Sequence, residues 1–159
     1  MVTHVLCFSK TGNTRRVCAR VADRLGVALQ EIRCPDIRPG VWGYLSLGWA
    51  ALTGKLLRIE APALSFGPDD LLVLGAPVWA GRVAVPMTTW LDNRTALPSR
   101  IGIVMTSGQS SRPNESFDRF AHAIGKTPAA TLHVAEKDAK AGAFDAGLDS
   151  FIGKLTAAP

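Results

Sequence analysis

The chain has 159 residues, of which 47% are hydrophobic and 19% are charged, and its formal net charge is +5. This length and composition can bury a sizeable core, which excludes disorder as the main state and suits a single domain over residues 1–159. The three cysteines, Cys7, Cys18 and Cys34, match neither a zinc site nor a disulfide framework, so we expect reduced thiols.

The amino-terminal third carries most of the positive charge. Residues 1–58 contain nine Lys or Arg against three acids, whereas residues 59–159 contain nine against ten. Aromatic residues do not interleave with the basic ones, so we predict no binding to nucleic acid. The first residues lack the basic region of a secretory signal, and the longest apolar stretch, 41–53, is too short for a bilayer. These features predict a cytoplasmic protein without a membrane span.

Runs rich in Val, Ile and Leu alternate along the chain with segments of helical period. We predict strands at 4–8, 28–34, 70–75, 100–105 and 131–134, and helices at 15–25, 41–57, 86–91, 115–124 and 144–155. Five strands that alternate with helices predict an α/β protein with a doubly wound, three-layer architecture around a parallel sheet. For strand order 2-1-3-4-5, a ligand would bind beyond the carboxyl ends of the first and third strands.

Three polar or glycine-containing loops, 9–14, 76–85 and 106–114, converge at that point. In the first loop, the hydroxyls of Ser9, Thr11 and Thr14 and the amide of Asn13 can donate hydrogen bonds, and Gly12 permits close backbone approach. The helix that follows directs its free N–H groups to the same place. This pattern favours a terminal phosphate as ligand, and an ordinary capped turn is the alternative.

The hexapeptide Ser9-Lys10-Thr11-Gly12-Asn13-Thr14 resembles the phosphate loop of the flavodoxins, and it matches every fixed position of that pattern. The order of the predicted elements agrees with the same family. The resemblance implies a flavodoxin-like fold that binds flavin mononucleotide (FMN) non-covalently and holds its phosphate in this loop.

By the same resemblance, two further loops would contact the flavin ring. Trp79 would cover the isoalloxazine, Pro77 and Val78 would shape the approach, and Ala80 and Gly81 would leave room for backbone groups. Thr106, Ser107, Gly108 and Gln109 would supply backbone donors to the pyrimidine edge. A core or lid position is the alternative for Trp79.

The segment 36–58 is longer and more aromatic than a minimal flavodoxin requires. It could be a helix packed on the sheet, a substrate wall, a dimer contact or a docking patch, and the sequence does not rank these. His4, His122 and His133 are scattered, so we expect no metal site.

These observations predict an FMN-dependent redox protein that transfers electrons to a partner protein or reduces a small acceptor. FMN carries out this chemistry itself, so we expect no catalytic side chain. The excess of basic residues in the amino-terminal third suits the phosphates of NAD(P)H or an acidic protein as a partner. The alternatives are an NAD(P)H-dependent FMN quinone reductase and a non-redox module that binds an anion or a protein.

Overall fold

The computed structural model describes residues 1–37, 57–94 and 96–157, and these form an α/β/α arrangement around one sheet. The strands are β1 (Thr3–Phe8), β2 (Leu29–Ile32), β3 (Leu71–Trp79), β4 (Arg82–Val83), β5 (Arg100–Ser107) and β6 (Ala130–Ala135). The helices are α1 (Asn13–Leu25), α2 (Val85–Asp92), α3 (Asn114–Ile124), α4 (Glu136–Ala141) and α5 (Asp145–Thr156).

The main sheet has the order β2-β1-β3-β5-β6, and every neighbouring pair in it is parallel. The short strand β4 lies outside this path and pairs antiparallel with β3. Without β4, the order is the predicted 2-1-3-4-5, so the predicted architecture is confirmed. The topological switch point therefore lies between β1 and β3.

Alternate side chains of each central strand point to opposite faces of the sheet and pack into two separate hydrophobic cores. In β1, Val5 and Cys7 belong to the core that includes side chains of α1, α4 and α5, whereas Leu6 and Phe8 belong to the core that includes side chains of α2 and α3. Because both faces of the sheet are covered, the sequences of the strands are nearly continuous apolar runs. Helix α1 ends at Gly26, whose left-handed backbone, with φ 68°, donates to the last carbonyls of the helix.

The structure corrects the predicted elements in two places. Residues 76–85, predicted as a loop, contain the end of β3, all of β4 and the first residue of α2. The short helix α4 was not predicted. Beyond Gly75, β3 no longer pairs with β1. Pro77 pairs with Thr106 of β5 on one side, and on the other its carbonyl accepts from the Ala84 N–H over 3.0 Å.

The predicted helix at 41–57 lies almost wholly outside the described residues. Within the part of the chain that is described, no helix is both long and apolar enough to cross a membrane.

Candidate functional site

The carboxyl ends of β1, β3 and β5 open onto the same edge of the sheet. A hydrogen bond of 2.7 Å joins the Thr14 and Thr106 hydroxyls, which lie 92 residues apart and are both buried. This bond connects the start of α1 to the end of β5. The structure thus brings the first and third predicted loops into direct contact.

Hydrogen bonds within the loop between β1 and α1 shape its backbone. The Gly12 N–H donates to Ser9 Oγ over 3.1 Å, and Asn13 Nδ2 donates to Thr11 Oγ1 over 3.2 Å. Gly12 has φ 89°, a left-handed conformation that favours glycine, and a Cβ added to it would meet no atom within 4 Å.

The first turn of α1 therefore faces open space at Gly12. No side chain of the described residues caps this helix, and its first turn contains no acidic residue. The first N–H groups of a helix have no partner within the helix, so this end favours an anion. Burial lowers the pKa of the neighbouring Lys10 ammonium, and the loop's remaining donors are neutral.

A glycine in β3 allows α1 to approach the sheet closely. A Cβ built on Gly75 would lie 2.2 Å from Cys18 Sγ, 3.2 Å from Cys7 Cβ and 3.6 Å from Thr14 Cγ2. The first of these separations is too short for any real contact. The absence of a side chain at Gly75 therefore sets the depth at which α1, and with it the loop, sits on the sheet.

The second predicted loop, 76–85, contains a tight hairpin turn between β3 and β4. Trp79 pairs with Arg82, and the two residues between them have positive φ values, 48° at Ala80 and 74° at Gly81. Two positive φ values are typical of a type I′ turn. From α3, the Ser116 hydroxyl donates to the Gly81 carbonyl over 2.9 Å and anchors the turn.

Trp79 is half-buried at the end of β3, and its ring packs edge-to-face on Phe8 at the end of β1. The two ring centroids are 5.9 Å apart, and the interplanar angle is 88°. This contact fixes the indole at the switch point. Neither Phe8 nor Ser116 was a predicted site residue.

The third loop follows β5 and is held by the side chain of Ser107. Its hydroxyl donates to the Gln109 carbonyl over 3.1 Å, and it lies 2.8 Å from His133 Nε2. Burial, followed by the positive charge of Arg112, lowers the pKa of His133. The sequence prediction grouped His133 with scattered histidines, because only strand register places it beside this loop.

Both ends of the segment 36–58 lie close together beyond β2. The Arg58 N–H donates to Asp36 Oδ2 over 3.0 Å, the Cys34 thiol lies 3.4 Å from the Arg58 carbonyl, and Arg33 pairs antiparallel with Glu60. Trp42, Tyr44 and Trp49 lie outside the described residues.

Several solved structures are similar to this chain. A flavoprotein from Lactobacillus acidophilus NCFM, solved in complex with FMN, is 18% identical with a TM-score of 0.70, over 91% of this chain and 98% of that chain. A flavodoxin from Streptococcus pneumoniae TIGR4 is 16% identical with a TM-score of 0.53, over 98% of this chain and 97% of that chain. An NADH:FMN oxidoreductase in its apo form is 16% identical with a TM-score of 0.53, over 100% of this chain and 92% of that chain.

No protein-family model matches the chain, and no curated protein matches it. At these identities, the structural likeness defines the fold. The chain has the flavodoxin-like fold, as the resemblance of its first loop implied.

Proposed function

We propose that the chain binds one FMN at the carboxyl edge of its sheet and acts as a redox protein. The observation that carries this proposal is the uncapped start of α1, which opens onto the hydroxyl-rich loop 9–14 at the switch point. The similar flavoprotein solved in complex with FMN and the similar NADH:FMN oxidoreductase support the choice of ligand.

The residues of the first loop fit a phosphate. Thr11 is exposed, and its oxygen accepts from Asn13, so its own hydroxyl proton remains available for a ligand. Thr14 can accept from Thr106 and donate outward, because each hydroxyl has one proton and two lone pairs. Together with the first-turn N–H groups, these donors would hold the phosphate without a cationic side chain.

The two remaining loops fit the flavin ring. Trp79 would lie against the isoalloxazine, with Pro77 and Val78 below it and the exposed backbone of Ala80 and Gly81 at the ring edge. In the third loop, the Ser107 hydroxyl is already engaged. The pyrimidine would therefore meet backbone groups of the set Thr106, Ser107, Gly108 and Gln109.

FMN, when bound, supplies the redox chemistry, and the protein binds it, orients it and tunes its surroundings. We propose that electron transfer to a partner protein or reduction of a small acceptor follows, in the cytoplasm. An NAD(P)H-dependent quinone reductase uses the same site, and the similar NADH:FMN oxidoreductase structure favours it as the second candidate. Anaerobic addition of NADPH separates the two: bleaching of the flavin within minutes indicates the reductase, and a stable yellow colour indicates the carrier.

The first test is the visible absorbance of the purified protein, with or without added FMN. A colourless protein that takes up no FMN would refute the redox proposal and leave the non-redox anion-binding module.

The second test locates the phosphate. Thr11→Val removes a charge-assisted hydrogen bond of about 1.5–3 kcal/mol, together with the local bond from Asn13, so the FMN dissociation constant should rise by about 10–150-fold. Thr156→Val, an exposed site on α5 whose hydroxyl bonds within its own helix, is the matched control and should leave affinity unchanged. Equal affinity in both variants would place the phosphate elsewhere.

Thr14→Val needs a separate control, because it also breaks the buried bond to Thr106. Thr106→Val removes the same bond but retains the Thr14 hydroxyl. We expect similar losses of stability in urea unfolding and a clearly larger loss of FMN affinity for Thr14→Val. Equal losses of affinity would mean that Thr14 serves only to join the loops.

A further inference from the structure

A cavity of about 320 Å³ lies along the open edge of β6, outside the proposed cofactor site. Three consecutive residues of that strand, Thr131, Leu132 and His133, line it. Because successive side chains of a strand point to opposite faces, a cavity that touches all three runs along the strand edge. β6 is the last strand of the sheet, so its outward backbone groups border this cavity.

Three elements contribute basic and hydroxyl side chains to the cavity. The polar residues that line it are Ser110, Arg112, Thr131, His133, Ser150 and Lys154. None of the described residues that line it is acidic, and no ion pair within the described part of the chain involves Arg112 or Lys154. Two carboxylates act on basic groups of this cavity: Asp118 acts on Arg112, and Asp138 acts on His133.

Three contacts hold Arg112 in one orientation. Its Nε donates to Asn114 Oδ1 over 3.0 Å, its Nη2 donates to Thr131 Oγ1 over 2.7 Å, and its guanidinium lies 3.9 Å from the centre of the Phe117 ring. A guanidinium has five N–H donors, and these bonds use two of them. The side chain is therefore oriented in advance, and three donors remain for a ligand.

His133 connects the cavity to the third loop. When the Ser107 hydroxyl donates to the Gln109 carbonyl, Nε2 of a neutral His133 must carry its own proton and donate to Ser107 Oγ. Nδ1 is then an acceptor, and protonation converts it to a second donor. An anion in the cavity would favour that protonation.

We propose that this cavity binds an oxyanion, either inorganic phosphate or a small phosphomonoester. The planar fork of Arg112 matches two oxygens of such a group, and Lys154 and the three hydroxyls complete the donor set. The volume lies at the lower end of the range for small-molecule sites, which suits a small ligand. Binding would act through His133 on Ser107, and hence on the loop 107–109.

The test is a titration of the FMN-saturated full chain with sodium phosphate at constant ionic strength, followed by amide NMR. We expect saturable shifts at Ser110, Thr131 and His133 with a millimolar dissociation constant. Shifts confined to Gly12 and Thr14 would show that phosphate enters only the first loop, and this would overturn the proposal. A parallel titration with glycerol 2-phosphate distinguishes a free from an esterified ligand.

Charge variants make the test specific. Lys154→Gln and Arg112→Gln should weaken phosphate binding about 3-fold and 10-fold or more, respectively. Arg112→Lys keeps the charge but loses the fork, so its affinity for phosphate should lie between that of the wild type and that of Arg112→Gln. Arg119→Gln removes the same charge from the exposed Glu115 pair and should change binding less than 2-fold. If Lys154→Gln and Arg119→Gln weaken phosphate binding equally, the effect comes from the overall charge of the protein and not from a specific site, and the proposal is wrong.

A last comparison concerns a macromolecular ligand. Binding of a poly-glutamate peptide without any response to phosphate would overturn the proposal in favour of an acidic protein partner. The phosphate titration is repeated on the protein without FMN, because the Thr131 and Gly12 amides report on separate sites. If only the FMN proposal is wrong, phosphate still shifts the Thr131 amide.

Discussion

Gly75→Ala tests whether the glycine in β3 sets the position of the proposed phosphate loop. The new methyl group would lie 2.2 Å from Cys18 Sγ and 3.2 Å from Cys7 Cβ, and both thiols are completely buried. Since Cys18 belongs to α1, the clash can be relieved only if the helix moves outward or the cysteine side chain repacks. Thr14, whose Cγ2 is 3.6 Å from the new methyl group, would move with the helix.

Overpacking of this kind costs about 1–3 kcal/mol. In a chain of this size, each kilocalorie lowers the melting temperature by about 2–4 °C, so a loss of about 2–12 °C is expected. Urea unfolding measures the free energy, and titration with FMN measures the affinity. We expect both to fall, because the same movement shifts the first turn of α1.

Gly102→Ala is the matched control. Its added methyl group would lie 2.9 Å from Leu155 Cδ1 and Phe151 Cζ, on the same face of the sheet but under α5. This variant should lose stability and keep its affinity for FMN.

The double variant Gly75→Ala/Cys18→Ala removes the clashing sulfur, and a double-mutant cycle should give a favourable interaction energy of about 0.5–3 kcal/mol. Unchanged stability of Gly75→Ala, or no interaction energy in the cycle, would refute the reasoning.

Three further predictions follow from local features. Burial, and next Arg112, lower the pKa of His133 below 6.5, so the unfolded chain binds the proton more readily. The free energy of unfolding should therefore fall as the pH drops below 6.5. An equally steep fall of this free energy with pH in His133→Gln would contradict the prediction. Ala80→Asn relieves part of the left-handed strain at φ 48° and should raise the free energy of urea unfolding by about 0.5–1 kcal/mol, whereas a loss would exclude strain at that turn. A chromogenic thiol reagent should label the half-buried Cys34 slowly in the native protein and label the two fully buried cysteines only after unfolding, and rapid labelling of all three would contradict the packing.

The strands could be predicted because burial on both faces produces continuous apolar runs such as 71–74. The end of β3 could not, since Pro77 and Gly81 are turn residues in most contexts. There the pairing with β5 and the short partner strand β4 overrides local propensity. Helix α4 has six residues and buries only Ala139, which is too little for a periodic pattern.

The first loop could be predicted because its chemistry lies in six consecutive residues. The contacts that join it to the rest of the site could not, because they connect distant parts of the chain. Thr14 meets Thr106 across 92 residues, and Ser107 meets His133 across strand register. The spacing of these residues in the sequence predicts neither contact.

The proposed phosphate loop is thus held from below by the core of the protein. Gly75 sets the depth of α1, and the buried Thr14–Thr106 bond fixes its first turn to β5. A loop held in this way loses little conformational entropy when an anion binds. Affinity should therefore depend on residues under the loop as well as on residues that touch the ligand. For that reason Thr106→Val, which removes no donor to the phosphate, should still weaken FMN binding slightly.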